Sequence, residues 1–289
     1  MSNDDERSAP SPVAVITGGA GGMGLATAKL MGRDHRVVIA DVNPERLAVA
    51  AKELQDQGVA AESVLCDVTD RAAVESLAAT AASLGTVVSV VHTAGVSPSM
   101  ATAPAIVTIN ALGTIHVTEA FLPLAGPGFA LVNVASTAGH VSIPTWILNR
   151  MYEVASVDAD LLAKRLVSFA SLGPRRLRPG AAYALSKNFV IWYSRRQAAT
   201  FGERDARILS VSPGSFDTEM GRLEMDSGAG EFARHGALQR FGDVDEIAEV
   251  LAFCAGRKAS YLTGTDIIVD GGSSAAMTLK ATIAMARMS

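Results

Sequence analysis

The feature that most constrains this chain is a short β-branched run, Val13 to Thr17, that passes directly into Thr17-Gly18-Gly19-Ala20-Gly21-Gly22-Met23-Gly24. An Ala/Leu/Met-rich stretch from about Met23 to Met31 follows. Such a passage reads as strand, turn of small residues, helix. The alternation continues with strands expected at Arg36–Ala40, Glu62–Cys66 and Val87–His92 and helices at Pro44–Gln57 and Arg71–Leu84. That βαβαβ order predicts a parallel sheet covered by helices on both faces. Further on, Ala103–Leu124, Ala182–Phe201 and Asp243–Ala255 read as helices, the last capped by Asp243. Phe129–Ala135, Arg207–Val211 and Thr265–Val269 read as strands, the last running into Asp270-Gly271-Gly272. Two stretches, His140 to Gly180 and Ser215 to Arg240, are too long for ordinary connections, and loops of that length are often functional.

At 289 residues the chain suffices for one large α/β domain, and one is expected rather than two. Its 49% hydrophobic and 5% aromatic content is rich in Ala and Val, the material of buried parallel strands. A net charge of −4 gives no electrostatic reason to expect nucleic acid or an anionic membrane as partner. Cys66 and Cys254 suit two buried thiols in a reducing compartment better than a disulfide. Residues 1–12 are polar and acidic with two prolines, so a disordered arm is expected there, without the basic and apolar regions of a signal peptide. No apolar run is expected to reach the roughly 18 residues that span a bilayer, and a soluble cytoplasmic protein follows.

Small residues between the first strand and helix let a backbone approach a diphosphate at the helix N-terminus. Gly18, Gly22 and Gly24 satisfy Gly-x-x-x-Gly-x-Gly, while Gly19, Gly21 and Gly24 satisfy Gly-x-Gly-x-x-Gly, so the register is open; Gly18, Gly21, Gly22 and Met23 are the candidate contacts. Asp41 ends the second strand, where a carboxylate can accept hydrogen bonds from ribose hydroxyls and repel a 2′-phosphate. NAD is therefore expected over NADP, although Arg46 nearby could offset the repulsion, and Asp41 could also cap the helix that Pro44 opens. Asp67 and Val68 follow the third strand at the crevice rim, with Asp70 a helix cap. Ala94 and Gly95 end the fourth, where a ligand would pass close to the backbone or the chain would simply turn.

Tyr183 and Lys187 are four apart on an expected helix and so share a face. A neighbouring ammonium and a cationic nicotinamide both favour phenolate, which would bring tyrosine toward neutral-pH proton transfer. The pair alone is common in helices. It gains weight from Ser136 at the end of the fifth strand, on the same sheet edge as the glycine turn, where a hydroxyl can hold a substrate oxygen.

With these residues in view, the chain resembles the short-chain dehydrogenase/reductase family. The resemblance rests on Thr17-Gly18-x-x-x-Gly22-x-Gly24, Asp41, Asp67-Val68, Ala94-Gly95, Asn110, Ser136, Tyr183-x-x-x-Lys187 and Ser212-Pro213-Gly214, and spans about residues 13–272. It implies a single doubly wound, Rossmann-like α/β domain with a mainly parallel seven-stranded sheet. By the same likeness Tyr183 is the general acid/base, Lys187 binds the nicotinamide ribose and lowers the tyrosine pKa, and Ser136 orients substrate. Asn110 would hold a water that links Lys187 to solvent, and Pro213, Gly214, Phe216 and Thr218 would contact the nicotinamide end. The family's Asn-Asn-Ala-Gly is here His92-Thr93-Ala94-Gly95, which puts the usual side-chain bracing in doubt; His92 reads as a packed strand residue.

Ser136 and Tyr183 are 47 residues apart, far more than the family's usual step. This looks like the branch that contains bacterial 3α-hydroxysteroid dehydrogenase/carbonyl reductase, with a helical insertion at about 140–180 before the tyrosine. Trp146, Ile147, Leu148, Met151 and Tyr152 would be its apolar part and Asp158–Ala170 a helix. Those apolar groups either wall a substrate pocket or bury themselves against the scaffold or another subunit, the second being preferred. A substrate lid is expected at about 215–240, and a tail at 273–289 with Met277, Leu279, Ile283, Met285 and Met288.

The function expected is NAD-dependent hydride transfer between a secondary alcohol and a ketone, the substrate a small hydrophobic molecule such as a hydroxysteroid or other cyclic alcohol. No metal is expected, and the assembly is a homodimer or homotetramer. Two other readings stay open: an epimerase or lyase of related fold that stores hydride on NAD, and a non-catalytic nucleotide sensor.

Overall fold

The computed structural model describes residues 12–141, 143–225, 233–234 and 236–276. The expected arm up to residue 11, part of the lid (226–232 and 235) and the tail from Met277 onward lie outside the described residues. Pro12, placed in the arm by sequence, is instead the first residue of a strand.

The elements in order are β1 (Pro12–Thr17), α1 (Gly22–Met31), β2 (Arg36–Asp41), α2 (Pro44–Asp56), β3 (Ala61–Leu65), α3 (Arg71–Leu84), β4 (Thr86–His92), α4 (Ala103–Val107) and α5 (Gly113–Phe121). Then come β5 (Ala130–Val134), α6 (Thr145–Tyr152), α7 (Ala159–Ala170), α8 (Arg178–Gly202), β6 (Arg207–Pro213), α9 (Glu219–Leu223), α10 (Val244–Ala255), β7 (Asp266–Val269) and α11 (Ser273–Ala276). The seven strands form one sheet in the order β3-β2-β1-β4-β5-β6-β7. Every pairing is parallel, so the sheet is wholly rather than mainly parallel. Its order reverses between β1 and β4, and the crevice beyond the carboxyl ends at such a switch point is where ligands bind in this architecture.

Each sheet face is covered because β1, β4, β5 and β6 are apolar on both sides. One core joins Val13, Val15, Val90 and Leu131 to α3 and α5 through Leu77 and Phe121. The other joins Ile16, Ile39, Val91 and Leu209 to α1, α2 and α10 through Ala28, Leu47 and Leu251. At the glycine turn, Gly18 has φ 66°, which a side chain would strain, and a β-carbon on Gly24 would run into the carbonyl of Gly18. The turn can close against the strand only with those residues.

Ala103–Leu124, read as one helix, is interrupted by a π turn at Thr108–Leu112. By length and composition this run would suffice to cross a bilayer, contrary to the expectation that no such run exists; here its flanks are buried in the cores. Helix α8 begins at Arg178, a turn before the expected Ala182, because Pro179 is acceptable in a first helical turn. Tyr183 is thus inside the helix and does not open it.

The insertion is helical, as expected. Its α6 and α7 put Leu148, Met151, Tyr152, Leu162 and Leu166 against Ile106, Ile115, Leu185 and Phe189 of α4, α5 and α8. Tyr152 is fully buried, stacks edge-on against Phe189, and donates its hydroxyl to Asn188 Oδ1 at 2.9 Å. Of the two readings, burial against the scaffold is the one found, while Trp146 remains 71% exposed. Tyr152→Ala should cost about 3–5 kcal/mol by leaving a cavity in this cluster; a urea midpoint within error of the parent would contradict the packing.

Candidate active site

The carboxyl ends of β1, β2, β4, β5 and β6 open onto one cavity of about 1180 Å³. Gly18, Gly21, Gly22 and Met23 line it from the glycine turn, Asp41 from β2, and Asp67 and Val68 from beyond β3. Ala94 and Gly95 enter from β4, Ser136 from β5, Tyr183 and Lys187 from α8, and Pro213, Gly214, Phe216 and Thr218 from β6 and the segment after it. Asn110 alone of the expected residues does not line it.

At one end the residues suit a dinucleotide. The N-terminus of α1 has no side-chain cap, leaving its first N–H groups to face the turn, where an anion is favoured. Asp41 accepts from the Asn43 N–H at 3.1 Å through Oδ1 only, while Asn43, not Asp41, caps α2. Asp67 Oδ1 receives both the N–H and the hydroxyl of Thr69 at 2.8 Å, which fixes the rim. The Arg46 guanidinium lies over Gly21 and pairs with Glu219 Oε2 at 3.2 Å. The sequence placed Arg46 near Asp41, but its position over Gly21 and its pairing with Glu219 were not legible there.

Thr93 replaces the family's second asparagine and supplies the bracing that had been in doubt. Its hydroxyl donates to the Thr17 carbonyl at 2.7 Å and approaches that of Gly18 at 3.4 Å. His92 is 2% exposed with Nδ1 2.7 Å from the Thr17 hydroxyl, and burial pushes its pKa down to about 3. It is neutral at neutral pH and packed within the sheet, as read.

At the other end Ser136, Tyr183 and Lys187 converge. Ser136 caps the short turn Thr137–Gly139 by accepting from the Ala138 N–H at 3.2 Å. Gly139 lies against the backbone of Lys187 and Asn188, so that a β-carbon there would be 2.8 Å from the Lys187 carbonyl carbon. Asn188 Nδ2 donates to the Gly139 carbonyl at 2.7 Å. This seam holds the serine turn to the tyrosine helix across the 47-residue separation.

Lys187 is 6% exposed; its ammonium donates to the Val134 carbonyl at 2.9 Å and lies 6.0 Å from the centre of the Tyr183 ring. Burial pushes its pKa down to about 8. The tyrosine departs from expectation in the protein alone. Burial raises the Tyr183 pKa, a hydrogen bond with Ser136 lowers it in part, and the Glu224 carboxylate adds to the rise. The lysine is engaged by a carbonyl and does not dominate the phenol.

Asn110 sits in the π turn, 1% exposed. Its amide both accepts from the Val96 N–H at 2.9 Å and donates to the Val96 carbonyl at 3.0 Å. A β-carbon on Gly95 would be 3.0 Å from Asn110 Oδ1 and 3.3 Å from Lys187 Nζ, so Asn110 sits directly behind the part of the wall that Gly95 and Lys187 form. His140 Nε2 meets the buried Asp266 Oδ2 at 3.0 Å, a pairing across 126 positions that no local motif announces. Cys66 and Cys254 are both free and buried. Among the described residues no His/Cys/Asp/Glu group could hold a metal ion.

A family model described as short chain dehydrogenase matches residues 12–149, and one described as Enoyl-(Acyl carrier protein) reductase matches 148–274. The chain is 31% identical over 262 residues to the short-chain dehydrogenase/reductase bsc3 of Alternaria brassicicola, covering 88% of this chain and 93% of that one. It is 29% identical to D-threitol dehydrogenase of Mycolicibacterium smegmatis, covering 90% and 92%. The crystal structure of levodione reductase superposes with a TM-score of 0.75 at 24% identity, covering 93% of this chain and all of that one.

The lysine gives a signed pH effect. Its folded pKa of about 8 is below the roughly 10.4 of an unfolded lysine, so the unfolded chain binds more protons between those values. The penalty for burying the ammonium is complete below pH 8 and is relieved as pH rises through that window. Lys187→Met should therefore gain more over the parent at pH 7 than at pH 9.5 in paired urea titrations. A difference independent of pH would contradict the shift.

Proposed function

Because the chain belongs to the short-chain dehydrogenase/reductase family, we propose that it is an NAD-dependent oxidoreductase interconverting a secondary alcohol and a ketone. The observation that carries this reading is the convergence of Ser136, Tyr183 and Lys187 on the cavity lined by the glycine turn. Gly18, Gly21, Gly22, Asp41, Gly214 and Thr218 would hold the dinucleotide, which when bound supplies or accepts the hydride.

In the reducing direction Ser136 holds the carbonyl oxygen, and Tyr183 gives it the phenolic proton as the carbon is reduced. Oxidation reverses both steps. The high pKa of Tyr183 in the protein alone suits it to keep the proton until charge develops on the substrate oxygen. Lys187, with its pKa near 8, can return that proton near neutral pH. Asn110 acts through its two bonds to Val96, fixing the Gly95-Val96 backbone beside the lysine.

NAD is preferred on the strength of Asp41, a carboxylate suited to hydroxyls rather than phosphate. Arg46, which could offset it, is paired with Glu219. The hydroxysteroid subclass has less support, since Trp146 to Tyr152 of the insertion do not line the cavity. A cytoplasmic location fits two buried free thiols. A homodimer or homotetramer would use surfaces other than the α4–α8 face that the insertion covers.

Tyr183→Phe should still bind NADH yet lose roughly 10³-fold in turnover, within the usual range for an acid–base group; undiminished NADH production from secondary alcohols would sink the assignment. Asp41→Ala should lower the NAD-to-NADP ratio of kcat/KM by roughly tenfold or more, equivalent to about 1.4 kcal/mol. An unchanged ratio, measured with one alcohol and both cofactors, would remove Asp41 from cofactor choice.

A further inference from the structure

The turn that carries Ser136 is fastened on two sides, and only one of them faces the tyrosine helix. Within the turn the Gly139 N–H donates to the Ser136 carbonyl at 2.8 Å and the His140 N–H to the Thr137 carbonyl at 3.1 Å. His140 ends the turn, lines the cavity with Ser136 and Tyr183, and reaches past β6 to the last strand. Its Nε2 lies 3.0 Å from Asp266 Oδ2 and 3.4 Å from the Ser212 hydroxyl. An imidazole nitrogen that faces a carboxylate carries a hydrogen, so Nε2 donates whether the ring is neutral or charged.

Asp266 opens β7 at the edge of the sheet, in register with Ser210, and its side chain is 1% exposed. Oδ1 accepts from the buried hydroxyls of Ser210 and Ser212, and among the described residues the partner of Oδ2 is His140. Burying a carboxylate is costly, and an apolar residue in its place is often as stable or more so. The three residues that follow it in β7, Ile267, Ile268 and Val269, are apolar, and the backbone ladder already pairs the strand with β6. What the carboxylate secures in addition is the residue that ends the serine turn. The two anchors differ in what they fix: the Gly139 backbone on α8 sets how near the turn comes to Tyr183, and His140 on β7 keeps the turn from pivoting about that contact.

We propose that His140 is a positioning residue for the reaction: docked on Asp266, it fixes the far end of the Ser136 turn and so holds the serine hydroxyl where it and Tyr183 engage one substrate oxygen. Misplacing a reacting group by about 1 Å can cost on the order of 100-fold in rate, which gives such an anchor a kinetic effect. The proposal rests on the oxidoreductase reading for what Ser136 does, though not for how its turn is held.

The test compares His140→Leu, which removes the donor, with His140→Gln, which keeps an N–H at similar reach, each in the full chain and each also combined with Ser136→Ala. Turnover of secondary alcohols is measured at saturating NAD, and backbone hydrogen exchange is followed at Gly139, with Val91 and Val132 as reporters of the core strands. In His140→Leu kcat should fall roughly tenfold or more, and in His140→Gln it should stay within about threefold of the parent. In the Ser136→Ala background the leucine should change kcat by less than about twofold, because the group it would misplace is gone. The Gly139 amide should exchange roughly tenfold faster in His140→Leu and recover in His140→Gln, while Val91 and Val132 keep their parent rates. An equal loss in both backgrounds, a glutamine variant as impaired as the leucine one, unchanged turnover or Gly139 exchange in His140→Leu, or acceleration that extends to Val91 and Val132 overturns the proposal. If the exchange rates behave as expected while the parent oxidises no member of a wide panel of secondary alcohols, the anchoring of Ser136 by His140 stands and the oxidoreductase reading falls.

Discussion

The arrangement of the site depends on the seam between Gly139 and α8. Ser136 reaches the cavity from the end of a strand, whereas Tyr183 and Lys187 reach it from a helix, and a sheet and its covering helix can slide against each other unless something sets their register. Here the Gly139 backbone lies on the backbone of Lys187 and Asn188, with the Asn188 amide bonded to the Gly139 carbonyl. Only a residue without a side chain permits that approach. Tyr152 reinforces the seam from the far side, since its hydroxyl donates to the same Asn188 side chain. The helices α6 and α7 of the insertion therefore bear on the reacting groups although no residue of either lines their cavity.

Electrostatics divides the cavity in two. Around the glycine turn, the uncapped N-terminus of α1 and the Arg46 guanidinium make a region suited to anions. Around Tyr183, burial and, to a lesser extent, the Glu224 carboxylate keep the phenol in its neutral form. Lys187 stands between them, held by Val134 and titrating near 8. Beside that lysine the Gly95 backbone passes close to both Asn110 and Lys187, where a side chain would crowd them.

Much of this was legible in the sequence, for a physical reason: strand ends and the glycine turn are local. Gly18, Asp41, Ser136 and the Tyr183–Lys187 pair are each set by their own few neighbours and the period of the element carrying them, and all of them line the cavity. What was illegible depends on contacts between distant segments. Thr93 braces Thr17, Arg46 covers Gly21, and His140 meets Asp266 across 126 positions. The π turn at Asn110 could not be read from an apolar period that runs unbroken through it. The start of α8 was misplaced because residues 178–181 carry little apolar pattern, although Pro179 is a helix-start signal. For Tyr183, spacing shows which charge is near but says nothing of the burial that raises its pKa in the protein alone, or of the carbonyl that engages the lysine.

The pinned ends of the insertion have a consequence for how such a chain can change over time. Once Gly139 and α8 are joined by their own contacts, the intervening segment is a closed loop, and each doubling of its length adds only about 0.6 kcal/mol of closure entropy. Length between Ser136 and Tyr183 is thus nearly neutral so long as the new material buries its own apolar face, as α6 and α7 do. The distance between two reacting groups along the chain and the distance between them in space are independent variables here, and the first is open to drift while the second is held.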